Sequence, residues 1–169
     1  MATPADVPDI LVDTDVFSFL MKPGDTRGPI YAPHVEGKRV CVAFVTVGEL
    51  FFGAYKRKWG VKKIDDLKRR LRSVVIVPYD QRLCYTYANI KAKLVAAGKP
   101  VADNDLWIAS CAVTHAIPLV SHNRKHFENI PGLHLISEEQ VIGEISSQGR
   151  LALPLISDVS SEQEPPSSQ

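Results

Sequence analysis

Short, wholly apolar runs alternate along this chain with longer stretches in which apolar residues recur every three or four positions. The first pattern marks buried strands and the second amphipathic helices. Ile10–Val12, Arg39–Phe44, Val74–Val77, Ile117–Val120 and Leu133–Ile136 read as strands. Between them, Val16 to Leu20 opens a short helix that ends before Pro23-Gly24, and Gly28 to Gly37 reads as a short helix or loop. Thr46 and Glu49 have capping-box spacing for a helix running towards Trp59, where Gly60 breaks it. Val61 to Ser73 sets Val61, Ile64, Leu67 and Leu71 at helical spacing among lysines and arginines. Asp80 can cap a helix from Gln81 to Ala97 that buries Leu83, Tyr87, Ile90 and Leu94, with Gly98 as its C′ residue. Asp103 or Asn104 then caps a helix to His115, and short helices follow at Asn123 to Asn129 and Glu138 to Ile145. Strands alternating with helices predict an α/β fold around a parallel sheet whose carboxyl edge gathers the functional groups.

Acids stand where strands give way to helices. Asp13 closes the run Ile10-Leu11-Val12, Glu49 lies in the helix after the second strand, and Asp105 follows Ala102-Asp103-Asn104. Each has a plainer structural role available, because carboxylates at helix starts cap free N–H groups and favour the positive end of the helix. That role fits Glu49 and Asp103 best. Asp13 fits it least, since an acid joined to a buried strand loses hydration that something else must replace. Acids converging on one sheet edge suit Mg²⁺ or Mn²⁺, which prefer carboxylate and water oxygens.

Other chemistries are poorly served. The histidines, His34, His115, His122, His126 and His134, lack the zinc-protease pattern, and Gly98-Lys99-Pro100 lacks the remainder of a P-loop. There is no Gly-x-Ser-x-Gly elbow. Cys41, Cys84 and Cys111 are widely spaced in apolar surroundings and read as small core residues, consistent with a reducing compartment. No apolar stretch approaches the roughly 20 residues of a membrane span, and the amino terminus has no signal-type pattern, so the expected location is the cytoplasm.

Charge adds a second theme. Net charge is +1, yet Lys56 to Arg72 carries nine basic residues against Asp65 and Asp66. Such a stretch is either the solvated face of a helix or a surface for phosphates. Lys56, Arg57 and Lys58, with Arg124 and Lys125 beside the expected site, are the candidates for contacting a nucleic-acid backbone. At 169 residues the chain fits a single domain. We expect an N-terminal extension over residues 1–8, a domain over 9–145, and a flexible Pro/Ser-rich tail over 146–169.

Four motifs in order resemble one family. Ile10-Leu11-Val12-Asp13-Thr14-Asp15, Val45 to Ala54 around Glu49, Asn104-Asp105-Leu106-Trp107-Ile108-Ala109, and Val120-Ser121-His122-Asn123-Arg124-Lys125-His126-Phe127 together resemble PIN-domain ribonucleases of the VapC toxin type. The resemblance implies a three-layer α/β/α fold with a central, mainly parallel sheet of four or five strands. It also implies an Mg²⁺- or Mn²⁺-dependent endoribonuclease that cuts tRNA or ribosomal RNA by a metal-activated water, leaving a 3′-hydroxyl and a 5′-phosphate. Asp13, Glu49 and Asp105 fall on the family's acidic ligands for one or two ions. Thr14, Ser121 and Asn123 fall close by. Asn123 stands where the family usually has a fourth acid, and Asp103 or Asp15 is available to supply the missing charge. The family further implies a homodimer and a cognate VapB-like antitoxin. The alternative is a catalytically weak PIN-like module that binds RNA or protein.

Overall fold

The computed structural model describes residues 7–138. The expected terminal helix from Glu138 to Ile145 and the expected tail lie almost wholly outside these residues.

All five strands are parallel and run in the order β3-β2-β1-β4-β5. They are β1 (Asp9–Val12), β2 (Arg39–Ala43), β3 (Val75–Val77), β4 (Leu119–Val120) and β5 (Leu135–Ile136). From β1 the chain steps outward through β2 to β3, then returns to place β4 on the other side of β1. The switch in direction falls between β1 and β4, where open α/β sheets form their crevice.

Alternation along the strands separates two cores. Leu11, Cys41, Ala43 and Leu119 face α5 (Gln81–Ala96) and α6 (Asp103–His115). Ile10, Val12, Val42 and Val120 face α1 (Thr14–Met21), α2 (Gly28–Val35), α3 (Phe44–Lys56) and α4 (Val61–Leu71). Neighbouring residues thus bury on opposite faces, the signature of a sheet covered on both sides. This is the expected three-layer α/β/α arrangement. A short α7 (Arg124–Phe127) follows β4 and is pinned by Phe127, which is fully buried in the α5/α6 core.

Several expectations fail locally. The second strand ends at Ala43, one residue early, because Phe44 begins α3 and packs its ring edge-on against Trp107 and Tyr79. Helix α3 is therefore under way before Thr46, which is buried in the third helical position and caps nothing. Neither Asp103 nor Asn104 caps α6; Ala102 holds that place without a side-chain bond. Val61 is exposed at the start of α4 although Leu67 and Leu71 are buried. Cys41 and Cys111 lie in the core, but Cys84 is exposed on α5. Asp80 does cap α5, accepting from Leu83 N at 2.7 Å, and Gly98 takes a left-handed φ of +66° beyond its end.

Candidate active site

Asp13 occupies the hinge between β1 and α1. Its backbone N–H still extends the sheet, donating to Val120 O at 3.1 Å, while its Oδ1 accepts from Val16 N at 2.7 Å as the N-cap of α1. The side chain is only 4% exposed. Ser121, fully buried directly after β4, donates its hydroxyl to the other oxygen, Oδ2, and accepts from Asn123 N at 3.0 Å. The switch point is thereby closed by a carboxylate from one strand end and a hydroxyl from the next.

Burial dominates the electrostatics of Asp13. It pushes the carboxyl pKa up to about 7, against the lowering effects of Ser121 and Val16 N, and the charges of Asp15 and Asp105 push the same way. Asp105 is also raised, first by burial and then by the charges of Glu49 and Asp15, although contact with His126 opposes this. Asp15 and Asp105 thus act on Asp13, and Glu49 and Asp15 on Asp105, as lesser like-charge effects behind burial.

Glu49 reaches this neighbourhood from α3. Thr14 donates to its Oε2, and Asn104 Nδ2 donates to Oε1 at 2.8 Å. Thr46 Oγ1 stands 3.3 Å from Thr14 Oγ1. The two residues of the apparent capping box thus point to Thr14 instead of to the helix start. Asp105, in the first turn of α6, places Oδ2 2.8 Å from His126 Nδ1, and Asn123 Nδ2 lies 2.8 Å from the same ring nitrogen.

The expected supporting residues divide. Thr14, Ser121 and Asn123 take part directly, and Asp15 contributes its charge from an exposed position. Asp103 does not join them. Its Oδ1 accepts from Lys91 Nζ at 2.6 Å and Tyr87 at 2.7 Å on α5, and these partners, Lys91 foremost, hold its pKa below the ordinary value. Among the basic candidates, Arg124 and Lys125 lie in the turn of α7 that carries His126. Lys56, Arg57 and Lys58 sit at the far end of α3, about 10 Å or more along its axis from Glu49. Sequence reasoning had not placed Asn104, Thr46 or His126 in the site. The one available signal was His126 standing three residues after Asn123, one helical turn away.

Oxygen donors dominate this set: three carboxylates with the Thr14 and Ser121 hydroxyls beside them. Such donors fit a hard divalent ion, and a desolvated carboxylate with a raised pKa is the group that a cation stabilises. Among the described residues no three His, Cys, Asp or Glu side chains form a closed metal cage. Their oxygens are turned to protein donors, with Asp13 held by Ser121, Glu49 by Thr14 and Asn104, and Asp105 against His126.

Comparison with known proteins agrees with this architecture. The PIN domain family profile matches residues 10–133. Ribonuclease VapC2 of Haemophilus influenzae is 34% identical over 126 residues, covering 73% of this chain and 92% of that protein. A tRNA(fMet)-specific endonuclease VapC of Salmonella typhimurium is 26% identical over 123 residues, covering 73% and 91%. The structure of VapBC-1 from nontypeable Haemophilus influenzae superposes with a TM-score of 0.63 at 26% identity, over 76% of this chain and 97% of that one. The chain belongs to the PIN-domain family and, within it, to the VapC group.

Proposed function

We propose that this protein is a metal-dependent endoribonuclease, the toxin half of a VapBC-like pair, acting on tRNA or ribosomal RNA in the cytoplasm. The observation that carries the reading is the buried Asp13 carboxylate, fixed at the switch point by Ser121 and facing the charges of Asp105 and Asp15. An asparagine would also cap α1, without the cost of burying a charge. The names of the relatives, a ribonuclease and a tRNA endonuclease, support the same reaction.

Asp13 and Asp105 would hold the ion, and Glu49 would complete its charge or orient the attacking water. Bound Mg²⁺ or Mn²⁺ would neutralise the phosphate and make water a better nucleophile. Ser121 holds one oxygen of Asp13, and Thr14 and Asn104 hold both oxygens of Glu49, so a bound ion would share these oxygens with their protein donors. Arg124 and Lys125, carried on the same short turn as His126, would hold the RNA backbone beside the cut; Lys56, Arg57 and Lys58 would hold it further along. A VapB-like antitoxin partner is supported by the VapBC-1 complex, and a homodimer is the expected assembly.

Induced expression in a bacterial host tests the toxin role. It should arrest growth and leave discrete cuts in tRNA or ribosomal RNA, and Asp105→Asn should do neither. Arrest by wild type and Asp105→Asn alike, with intact RNA, would refute it.

A further inference from the structure

Asp105, Asn123 and His126 form a cluster at the edge of the carboxylate site. His126 Nδ1 lies 2.8 Å from Asp105 Oδ2 and also 2.8 Å from Asn123 Nδ2. One ring nitrogen cannot accept from the amide while donating to the carboxylate. With the Asn123 amide turned to offer Oδ1, the Nδ1–H tautomer of the ring satisfies both neighbours. A divalent ion between the three side chains satisfies them as well, with two oxygens and a nitrogen as ligands. The 2.8 Å separation between Nδ1 and Oδ2 is close to the roughly 3 Å edge that two ligands at about 2.1 Å subtend on an octahedral ion.

Resting on the proposed metal-dependent function, we infer that His126 is a nitrogen ligand of the active-site cation, bound together with Asp105 and Asn123. It adds a donor on the side where the chain has a neutral amide. Three features prepare it for this. Asn123 precedes α7 and His126 lies one turn into it, so both side chains emerge on the same side. Phe127, buried at 1% exposure, anchors the turn against the core. The imidazole itself is half exposed, which leaves room for water ligands and substrate.

A nitrogen donor changes which ion is favoured. Mg²⁺ strongly prefers oxygen, whereas Mn²⁺, although it too favours oxygen and stands at the weak end of the transition-metal series, accepts an imidazole more readily than Mg²⁺ does. The chain should therefore bind Mn²⁺ in preference to Mg²⁺, and His126→Gln should weaken Mn²⁺ binding by roughly tenfold or more while changing Mg²⁺ binding much less.

Mn²⁺ itself is the probe, added to the RNA-free, full-length protein. Pulsed EPR of bound Mn²⁺ should show modulation from a directly coordinated ¹⁴N, and the pattern should change to that of ¹⁵N when the protein carries ¹⁵N-histidine. His126→Gln should lose the nitrogen coupling while unfolding at a temperature close to that of wild type. Bound Mn²⁺ without nitrogen coupling would overturn this inference and leave the carboxylate site standing. Coupling that persists in His126→Gln would assign another histidine and overturn it equally. Failure of Mn²⁺ to bind at all would remove the metal-dependent function on which it rests.

Discussion

Ser121 donates its hydroxyl hydrogen to the buried carboxylate of Asp13, joining the end of β4 to the end of β1 across the point where the sheet changes direction. Position in the fold, low dielectric and a fixed donor meet in this one contact.

Its first consequence is a pH dependence of stability. Asp13 has a folded pKa of about 7 against an ordinary 3.8, so between these values the folded chain holds a proton that the unfolded chain has released. Stability without metal should fall as pH rises from about 4 to about 7 and level off above, a loss of up to about 4 kcal/mol at roughly 1.4 kcal/mol per unit. Asp13→Asn should remove this slope and melt above wild type at pH 8 in chelator. Mg²⁺ or Mn²⁺ should raise the wild-type melting temperature more at pH 8 than at pH 5.5. Parallel melting-temperature profiles for wild type and Asp13→Asn would count against a strained carboxylate.

Ser121→Ala isolates the donor. It strips a hydrogen bond from a buried charge and leaves Asn123 N without its acceptor, which should cost about 1–3 kcal/mol at neutral pH. Because Ser121 lowers the Asp13 pKa, its loss should extend the falling limb of the stability profile to higher pH, with the start of that limb unchanged. Urea unfolding at pH 5 and pH 8 checks this, and the penalty should be larger at pH 8.

The basic residues should separate by position. Lys125→Ala, on the turn beside Asp105, should weaken RNA binding and reduce the dependence of log affinity on log salt by about one. Lys56→Ala, at the distal end of α3, should matter only for RNA long enough to reach it. Filter binding to short and long RNAs with the inactive Asp105→Asn variant makes the comparison. Equal losses on a short RNA would mean that the substrate follows a different path.

Much of this was legible before the structure. Asp13 could be singled out because an apolar run of three residues ends in an acid, and the alternation of strands and helices places that junction on the sheet's carboxyl edge. Glu49 was harder to read. Thr46 and Glu49 have capping-box spacing, but sequence does not reveal that Phe44 starts the helix through tertiary ring packing, which frees both residues to face Thr14. Asp103 and Asp105 look equivalent along the chain. They part because positions two apart on a helix face different ways, so that one meets Lys91 and the other His126. Cys84 is exposed despite its apolar surroundings in sequence, because its neighbour Leu83 faces the core and Cys84 turns outward.

If the converging carboxylates hold a catalytic ion, RNA cleavage needs both the metal and the two aspartates. Purified protein, freed of any bound partner, should be incubated with total tRNA and with ribosomal RNA, in Mg²⁺, in Mn²⁺ and in chelator, beside Asp13→Asn and Asp105→Asn. Discrete fragments with 5′-phosphate ends, requiring metal and both aspartates, are the expected result. Intact RNA from a folded wild-type protein under either metal would contradict it, and would leave the chain a PIN-like module that binds RNA or protein without cutting.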